Sequence, residues 1–465
     1  MTNSGFKVII VGGSIAGLSL AHCLQRAGID WVILEKHTDI APQLGASVGI
    51  MPNGGRVLDQ LGLYDAVEGL IEPLQTAHVN QPDGASFSSH YPRILNERFG
   101  YPLAFLDRQK LLEILYRALP MKENVYVDAQ VVRIESNGED GMRVYTDTGG
   151  VHYGDLVVGA DGVRSIARSE MWRLSAIPES DKSSVMTVEY ACVFGISSPI
   201  KGLEAGNQIT CFNNGWSILS IIGKGGRIYW FLMLKLEQKY TADNAPRFTH
   251  EDALRRCEKL CGAHYWKNIR FGDVWKRREV FSMTNLEESL FQTWHGHRVV
   301  CIGDSMHKIA PNTGQGANSA IEDAAALTNL LRRTLATTDC KQKPSGSDLH
   351  HLLQKFSDLR IARMHEICES AALAVRLHAQ DGIKNKLLGR YILPYAGDVL
   401  AERASRGIRQ AVALDFIPLP ERSGMGWSTV HRTRATVPLV SLALLMLGVI
   451  MQRNMMTWLL SVSHR

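Results

Sequence analysis

The sequence predicts an α/β fold in which a mostly parallel sheet is joined to an antiparallel one of α+β character. Three observations carry this. Two glycine-rich motifs, Gly12-Gly13-Ser14-Ile15-Ala16-Gly17 and Gly303 to Asn318, each follow a short continuous apolar run, Lys7–Val11 and 298–302. Such runs mark strands buried on both faces. Between the motifs, residues 185–236 change to strand-like runs separated by Gly and Asn, the pattern of an antiparallel sheet.

Taken in order, Lys7–Val11 is a buried strand, and Ser14–Ala27 a helix with Leu18, Ala21 and Leu24 on one face, stopped by Gly28. Trp31–Glu35 is a second strand, which completes a βαβ unit of the Rossmann-like kind. Arg108 opens a helix, 125–127 and 131–134 are strands, and 155–159 is a buried strand entering Ala160-Asp161-Gly162. The antiparallel part contains strands at 188–196, 216–222 and 227–236. Asn318–Leu335 is a helix rich in Ala and Leu. Leu349, Leu352, Leu353, Phe356, Leu359, Met364, Ile367 and Ala371 mark a long amphipathic helix.

This divides the chain into a first dinucleotide-binding part at 1–180, with substrate-domain segments interleaved around 75–105. An antiparallel substrate domain follows at 181–285, and the flavin-end motif at 286–335. The remainder is a helical part at 336–415, a linker at 416–434 and an apolar C-terminal helix at 435–460. The last of these rests on Ala435–Met451, an uncharged run preceded by Arg432 and Arg434. Its length is at the lower edge of a membrane span, and a buried core helix is the competing reading. With no signal peptide at the N-terminus, a tail-type anchor with the catalytic part facing the cytosol is the expectation.

Composition excludes several classes. The 465 residues are 45% hydrophobic and 21% charged, with a formal net charge of +5. No basic stripe interleaved with aromatics indicates nucleic acid. The eight cysteines form no CxxC, so neither a zinc site nor a disulfide reductase is expected.

The two glycine motifs together indicate one extended dinucleotide, held at its adenosine end by the first and at its flavin end by the second. FAD is the expected ligand. Gly12, Ser14 and Gly17 form the first turn, with serine in place of the usual middle glycine. Glu35, at the end of the second strand, suits ribose hydroxyls and repels a 2′-phosphate. Asp304 sits at a strand's carboxyl end, where open α/β sheets bind ligands. Pro311, Gly316 and Ala317 lead into a helix N-terminus that favours the anionic reduced flavin. Arg108 reaches either a phosphate or solvent, and Asp161 sits in a sharp turn. His307 is expected to pack or hydrogen-bond rather than act as a base.

The motifs GGSIAG, GADGVRS and GDSMHKIAPNTGQGAN resemble those of single-component flavin monooxygenases of the para-hydroxybenzoate hydroxylase type. GASVGIMPNGGRVLDQLGL at 45–63, NNGWS at 213–217 and GKGGRIYWF at 223–231, with the apolar tail, resemble fungal terpenoid, meroterpenoid and indole-diterpene pathway epoxidases. The resemblance implies FAD contacts at Glu35, Gly49, Arg108, Asp304 and Ala317. It also implies transient NAD(P)H at GADGVRS, and oxygen delivery from a flavin C4a-hydroperoxide formed with O2. The expected substrate is a lipophilic prenylated alkene of secondary metabolism, and the expected location the endoplasmic reticulum membrane. Trp216 stands where relatives often place a tyrosine, and is either a catalytic pocket aromatic or a core residue. Aromatic-ring hydroxylation, or a membrane-tethered flavoprotein without oxygenase activity, are the alternatives.

Overall fold

The computed structural model describes residues 5–42, 47–138, 141–177, 186–337 and 343–428. Residues 1–427 form one compact unit by their contacts. The predicted C-terminal apolar helix at 435–460 lies outside the described residues. Among those described, no helix is long and apolar enough to cross a membrane.

The apolar runs become a six-stranded sheet in the order His295–Gly296, Val299–Cys301, Leu156–Gly159, Lys7–Val11, Asp30–Leu34 and Val125–Tyr126. All neighbours pair in parallel except the His295–Gly296 edge. Helix Ile15–Ala27 follows the first strand and ends at Gly28, whose φ of 69° is the left-handed conformation glycine adopts without strain. The flavin-end helix Gln315–Thr337 packs beside it. A Cβ on Gly303 would lie 3.2 Å from Ala320 and 3.3 Å from Ala16, so strand end and both helices converge there.

The antiparallel part is an eight-stranded sheet. Its order is His307–Lys308, Arg278–Leu290, Thr187–Ser197, Ile228–Thr241, Trp216–Ile222, Asn207–Phe212, Thr76–Asn80 and Ser86–Ser89. The last two strands bring the early segment into this sheet, Thr76–Asn80 pairing in parallel with Asn207–Phe212. Side chains alternate between the faces. Leu219, Ile221, Phe231 and Met233 pack towards Met51 and Phe105. Ile218, Ile222, Trp230 and Leu232 face the other way, under Phe271, Val274 and Trp275.

Two expectations change in detail. Leu359 is exposed, although the surrounding stripe of Gly346–His378 is buried as read from its periodicity. Residues 416–427 are not a free linker. Gln60 Nε2 donates to Ile417 O, Trp427 Nε1 donates to Phe99 O, and Arg422 pairs with Asp59, Asp65 and Glu68. Proline and glycine there shape a packed strap, because aromatic and cationic residues between them find partners on the first 100 residues.

Candidate functional site

The glycine turn after Lys7–Val11 is built for close approach. Gly12 has φ 103°, and a Cβ there would sit 2.6 Å from Ala160 O. Gly17 differs in purpose: its Cβ would meet Gly12 O at 2.0 Å, so it seats the helix on the turn. Glu35 binds the same turn, accepting from Gly13 N at 2.6 Å and His37 N at 3.0 Å. Arg108 Nη2 donates to Ser14 Oγ at 2.8 Å. Burial pulls the Arg108 pKa down, against the opposing pull of Asp304 and Glu35.

The turn after 155–159 is held by its own acid. Asp161 accepts from Ser165 Oγ at 2.5 Å and Ala167 N at 3.0 Å, and Ser165 in turn caps helix Ile166–Leu174 by accepting from Arg168 N at 2.9 Å. Burial raises its pKa, with those bonds working against the rise. Arg168 ties this helix to the flavin-end motif through Ser305 O at 2.5 Å.

At the second motif, Asp304 Oδ2 lies 2.5 Å from Lys308 Nζ. Burial draws the Lys308 pKa down, and Asp304 more than restores it, so the net direction is up. Asn318 fixes the start of Gln315–Thr337 against strand Ser47–Ile50, donating to Gly49 O at 2.9 Å and accepting from Met51 N at 3.0 Å. His307 is buried, stacked on Trp294, with Nε2 2.7 Å from Asp323 Oδ2. It serves as a hydrogen-bonding residue.

These elements enclose a cavity of about 790 Å³. It runs from Gly12, Ser14 and Glu35, past Gly49, Arg108 and Asp161, to Asp304, Pro311, Gly316 and Ala317. Phe105, Phe231 and Ile309 also line it. Of the sequence-predicted positions, Gly17 and Trp216 are absent from this lining. Gly17 is spent on helix packing. Trp216 belongs to the Ile218–Ile222 side of its strand and packs into the cluster on the far face of the sheet. Period-two alternation sends it there, away from Leu219 and Phe231.

The shape fits an extended dinucleotide. A long cleft has bare glycine backbone at both ends, a helix N-terminus at each, and a buried arginine beside the first turn. Residues 5–340 match the FAD binding domain family. The chain belongs to that family. FAD is accordingly its cofactor. The chain is 52% identical over 457 residues to the FAD-dependent monooxygenase pyr5 of Aspergillus fumigatus, covering 96% of this chain and 98% of the relative. It is 51% identical over 464 residues to the FAD-dependent monooxygenase cdmI of Talaromyces verruculosus, covering 98% and 97%. Such identity over nearly the whole chain makes this protein an FAD-dependent monooxygenase. Among solved structures, HpxO of Klebsiella pneumoniae complexed with FAD and uric acid is similar in fold, with 21% identity, a TM-score of 0.73, and coverage of 88% of this chain and 98% of that one.

Several residues around the FAD site are not evident from motifs. Glu322 and Asp323 are wholly buried in the flavin-end helix. Arg360 donates to Glu322 at 2.9 Å and to Asp323 at 2.5 Å, Arg363 also grips Glu322, and Asn53 donates to Glu322 at 2.6 Å. In sequence, Glu322-Asp323 looks like a solvated pair. The available signal was Arg360 and Arg363 on an otherwise apolar stripe.

Proposed function

We propose that this monooxygenase epoxidises an alkene of a lipophilic prenylated or terpenoid intermediate, using NAD(P)H and O2. The observation that carries the reading is how the acids of the cavity are engaged. Glu35 is held by two backbone amides, Asp39 by the Ala41 amide, Asp161 by Ser165 Oγ and the Ala167 amide, and Asp304 by Lys308. Beside the antiparallel sheet, the lining is Phe105, Phe231 and Ile309, with Lys308 turned to Asp304. Hydroxylating a phenol benefits from a general base at the ring hydroxyl. An alkene needs no deprotonation, and an apolar wall suits it.

FAD, when bound, supplies electron transfer from NAD(P)H and activation of O2. The chain supplies placement. Gly12 and Ser14 would take the pyrophosphate, with Arg108 steadied by Ser14 as a counter-charge. Glu35 would receive ribose hydroxyls on its remaining lone pairs, and Asp304 the ribityl hydroxyls. Asp161 holds the turn that follows 156–159 in shape, and Gly49 would let the cofactor lie close to its strand. Pro311, Gly316 and Ala317 would set the helix N-terminus against the pyrimidine edge, favouring negative charge there. Phe105 and Phe231 exclude water and orient the substrate. Lipophilic substrates partition into bilayers, which fits an apolar C-terminal segment as an anchor and a cytosol-facing catalytic unit on the endoplasmic reticulum.

The test is turnover of a prenylated substrate and of its saturated analogue under 18O2, followed by product mass spectrometry. Epoxidation predicts one labelled oxygen in the product and loss of turnover with the saturated analogue. Equal turnover of both would overturn it in favour of ring hydroxylation. NAD(P)H oxidation without labelled product would leave a flavoprotein lacking oxygenase activity.

A further inference from the structure

Residues 382–409 hold a row of large apolar side chains in water. Ile383 is 77% exposed, Leu387 51%, Tyr391 57%, Tyr395 86% and Val399 63%. Apolar residues scattered singly on a surface need no explanation, but a concentration of this kind marks an interaction site. The row is mounted on a fixed base. Gly389 is buried against Phe212, where a Cβ would come within 3.3 Å of the ring, and Gln81 Nε2 donates to Gly389 O at 2.9 Å. Further on, Ala401, Ser405 and Ile408 are buried, and Arg98 Nη1 donates to Ser405 Oγ at 2.9 Å.

The charge around the row is net positive. Residues 382–409 carry Lys384, Lys386, Arg390, Arg403, Arg406 and Arg409 against Asp398 and Glu402. Glu402 is already paired with Arg98 at 2.6 Å. Among the described residues, Lys384, Lys386, Arg403 and Arg406 form no ion pair. Exposed Ile, Leu and Val, two tyrosines and unpaired cations form the chemistry of an interfacial membrane contact. The apolar groups enter the acyl boundary, the tyrosines sit at headgroup depth, and the cations meet anionic lipid.

We propose that the face formed by residues 383–399 docks the catalytic unit on an anionic lipid bilayer. The sequence beyond the described residues supplies a second segment of the same character in Ala435–Met451, with Arg432 and Arg434 before it. The docking face also lies next to the FAD site's surroundings. Phe212 stacks on His378, and His378 Nδ1 is 3.0 Å from Asn312 Nδ2 in the flavin-end loop. A bilayer at this face would therefore lie near the flavin-end loop; that an apolar substrate arrives from it rests on the proposed substrate class, and the docking itself does not.

The test is hydrogen–deuterium exchange on the full-length FAD-loaded protein, with vesicles of phosphatidylcholine alone or with added phosphatidylserine. Docking predicts exchange at 382–400 slowed by about tenfold with the anionic vesicles, less with the neutral ones, and reversal by salt. The triple variant Ile383→Glu, Leu387→Glu, Tyr395→Glu should lose this protection while its flavin spectrum and melting temperature stay unchanged. Vesicle binding without protection at 382–400 would assign the contact elsewhere in the chain and overturn the proposal. So would protection already present without lipid: concentration-dependent, it means a second copy covers the face; concentration-independent, the chain's own segment does. The epoxidation assay can succeed or fail independently of all these outcomes.

Discussion

Arg227 grips Asp107 with two prongs, Nε to Oδ1 at 3.0 Å and Nη2 to Oδ2 at 3.0 Å. Tyr229 adds its hydroxyl to the same carboxylate at 2.9 Å. Asp107 immediately precedes Arg108, so residues of the antiparallel sheet set where the Arg108 helix begins. The pair is partly exposed, which limits its worth, but two-pronged geometry is stronger than a single contact. Arg227→Ala should cost about 1–2 kcal/mol and weaken FAD retention through Arg108. Thermal denaturation and flavin dissociation measure the two effects. An unaltered flavin affinity would break the proposed link between the substrate sheet and Arg108.

Gly17 and Gly316 belong to the two glycine motifs, and their surroundings give them opposite predictions. A Cβ at Gly17 would meet Gly12 O at 2.0 Å, and backbone cannot yield as a side chain does. Gly17→Ala should lower stability by about 3 kcal/mol or prevent folding. At Gly316 the nearest atom is Asp304 Oδ1, at 4.0 Å, on the cavity side. Gly316→Ala should keep the fold of the apo protein and lose FAD affinity. Circular dichroism with flavin titration separates the cases; a Gly316→Ala variant that binds FAD as tightly as wild type contradicts its assignment to the cofactor.

The parallel sheet was legible because its strands are buried on both faces, so apolar runs and glycine turns coincide in sequence. The helix Gly346–His378 was legible from its period. The cavity's backbone-lined ends followed from the same turns. What sequence did not reveal depends on distance in the chain. Asp107 meets Arg227, Glu322 meets Arg360, and Asn318 meets Gly49, and no local pattern encodes these pairings. Trp216 illustrates a subtler limit. Its strand was read with the observed boundaries, but both faces of that strand are apolar, so alternation gives no polarity that says which face meets the cavity.

Arg360 is wholly buried between Glu322 and Asp323. Burial pushes the Asp323 pKa up, but Arg360 and His307 overcome this and hold it at about 2. Arg360→Leu leaves buried carboxylates short of counter-charge and should cost about 3–5 kcal/mol. The depressed acid contributes stability that is full above its unfolded value near 4 and lost as pH falls towards 2. In the variant the folded Asp323 pKa rises towards or past its unfolded value, so this acid limb should shrink or reverse. Urea denaturation across that range tests the point; a parallel offset, with the same pH dependence, would remove Asp323 as its source.

His378 is drawn to about 4 by burial and sits stacked on Phe212 beside Asn312. Its folded pKa lies below its unfolded value of about 6.5, so the unfolded chain binds the extra proton in between. The stability that follows is full above pH 6.5 and declines as pH falls to 4. The expected loss is about 3 kcal/mol over that window, from 1.36 kcal/mol per unit. His295 shifts in the same direction, to about 4, by burial first and then by nearby His350. His378→Gln should therefore flatten the curve only in part, and the double variant with His295→Gln should flatten it further. Melting temperatures of the three proteins between pH 4 and 7 decide this; identical slopes would show that neither histidine carries the effect.

Asp304 faces the cavity, with its Oδ2 2.5 Å from Lys308 Nζ, and it has two demands on one carboxylate. Lys308 uses one oxygen, which leaves lone pairs for hydroxyls of the cofactor. Asp304→Ala removes both functions and leaves Lys308 without its hydrogen-bonded carboxylate, so FAD affinity should fall by about tenfold to a hundredfold, the worth of a hydrogen bond to a charged group. Asp304→Asn keeps the shape and one acceptor but loses the charge that holds Lys308, and should fall between Ala and wild type. Lys308→Met isolates the pairing. If Asp304 acts mainly by holding Lys308, Lys308→Met should match Asp304→Asn; if it acts on the cofactor directly, Lys308→Met should retain FAD almost as wild type does. Equilibrium flavin titration of the four proteins gives the order, and equal affinity of Asp304→Ala and wild type would exclude Asp304 from the FAD site.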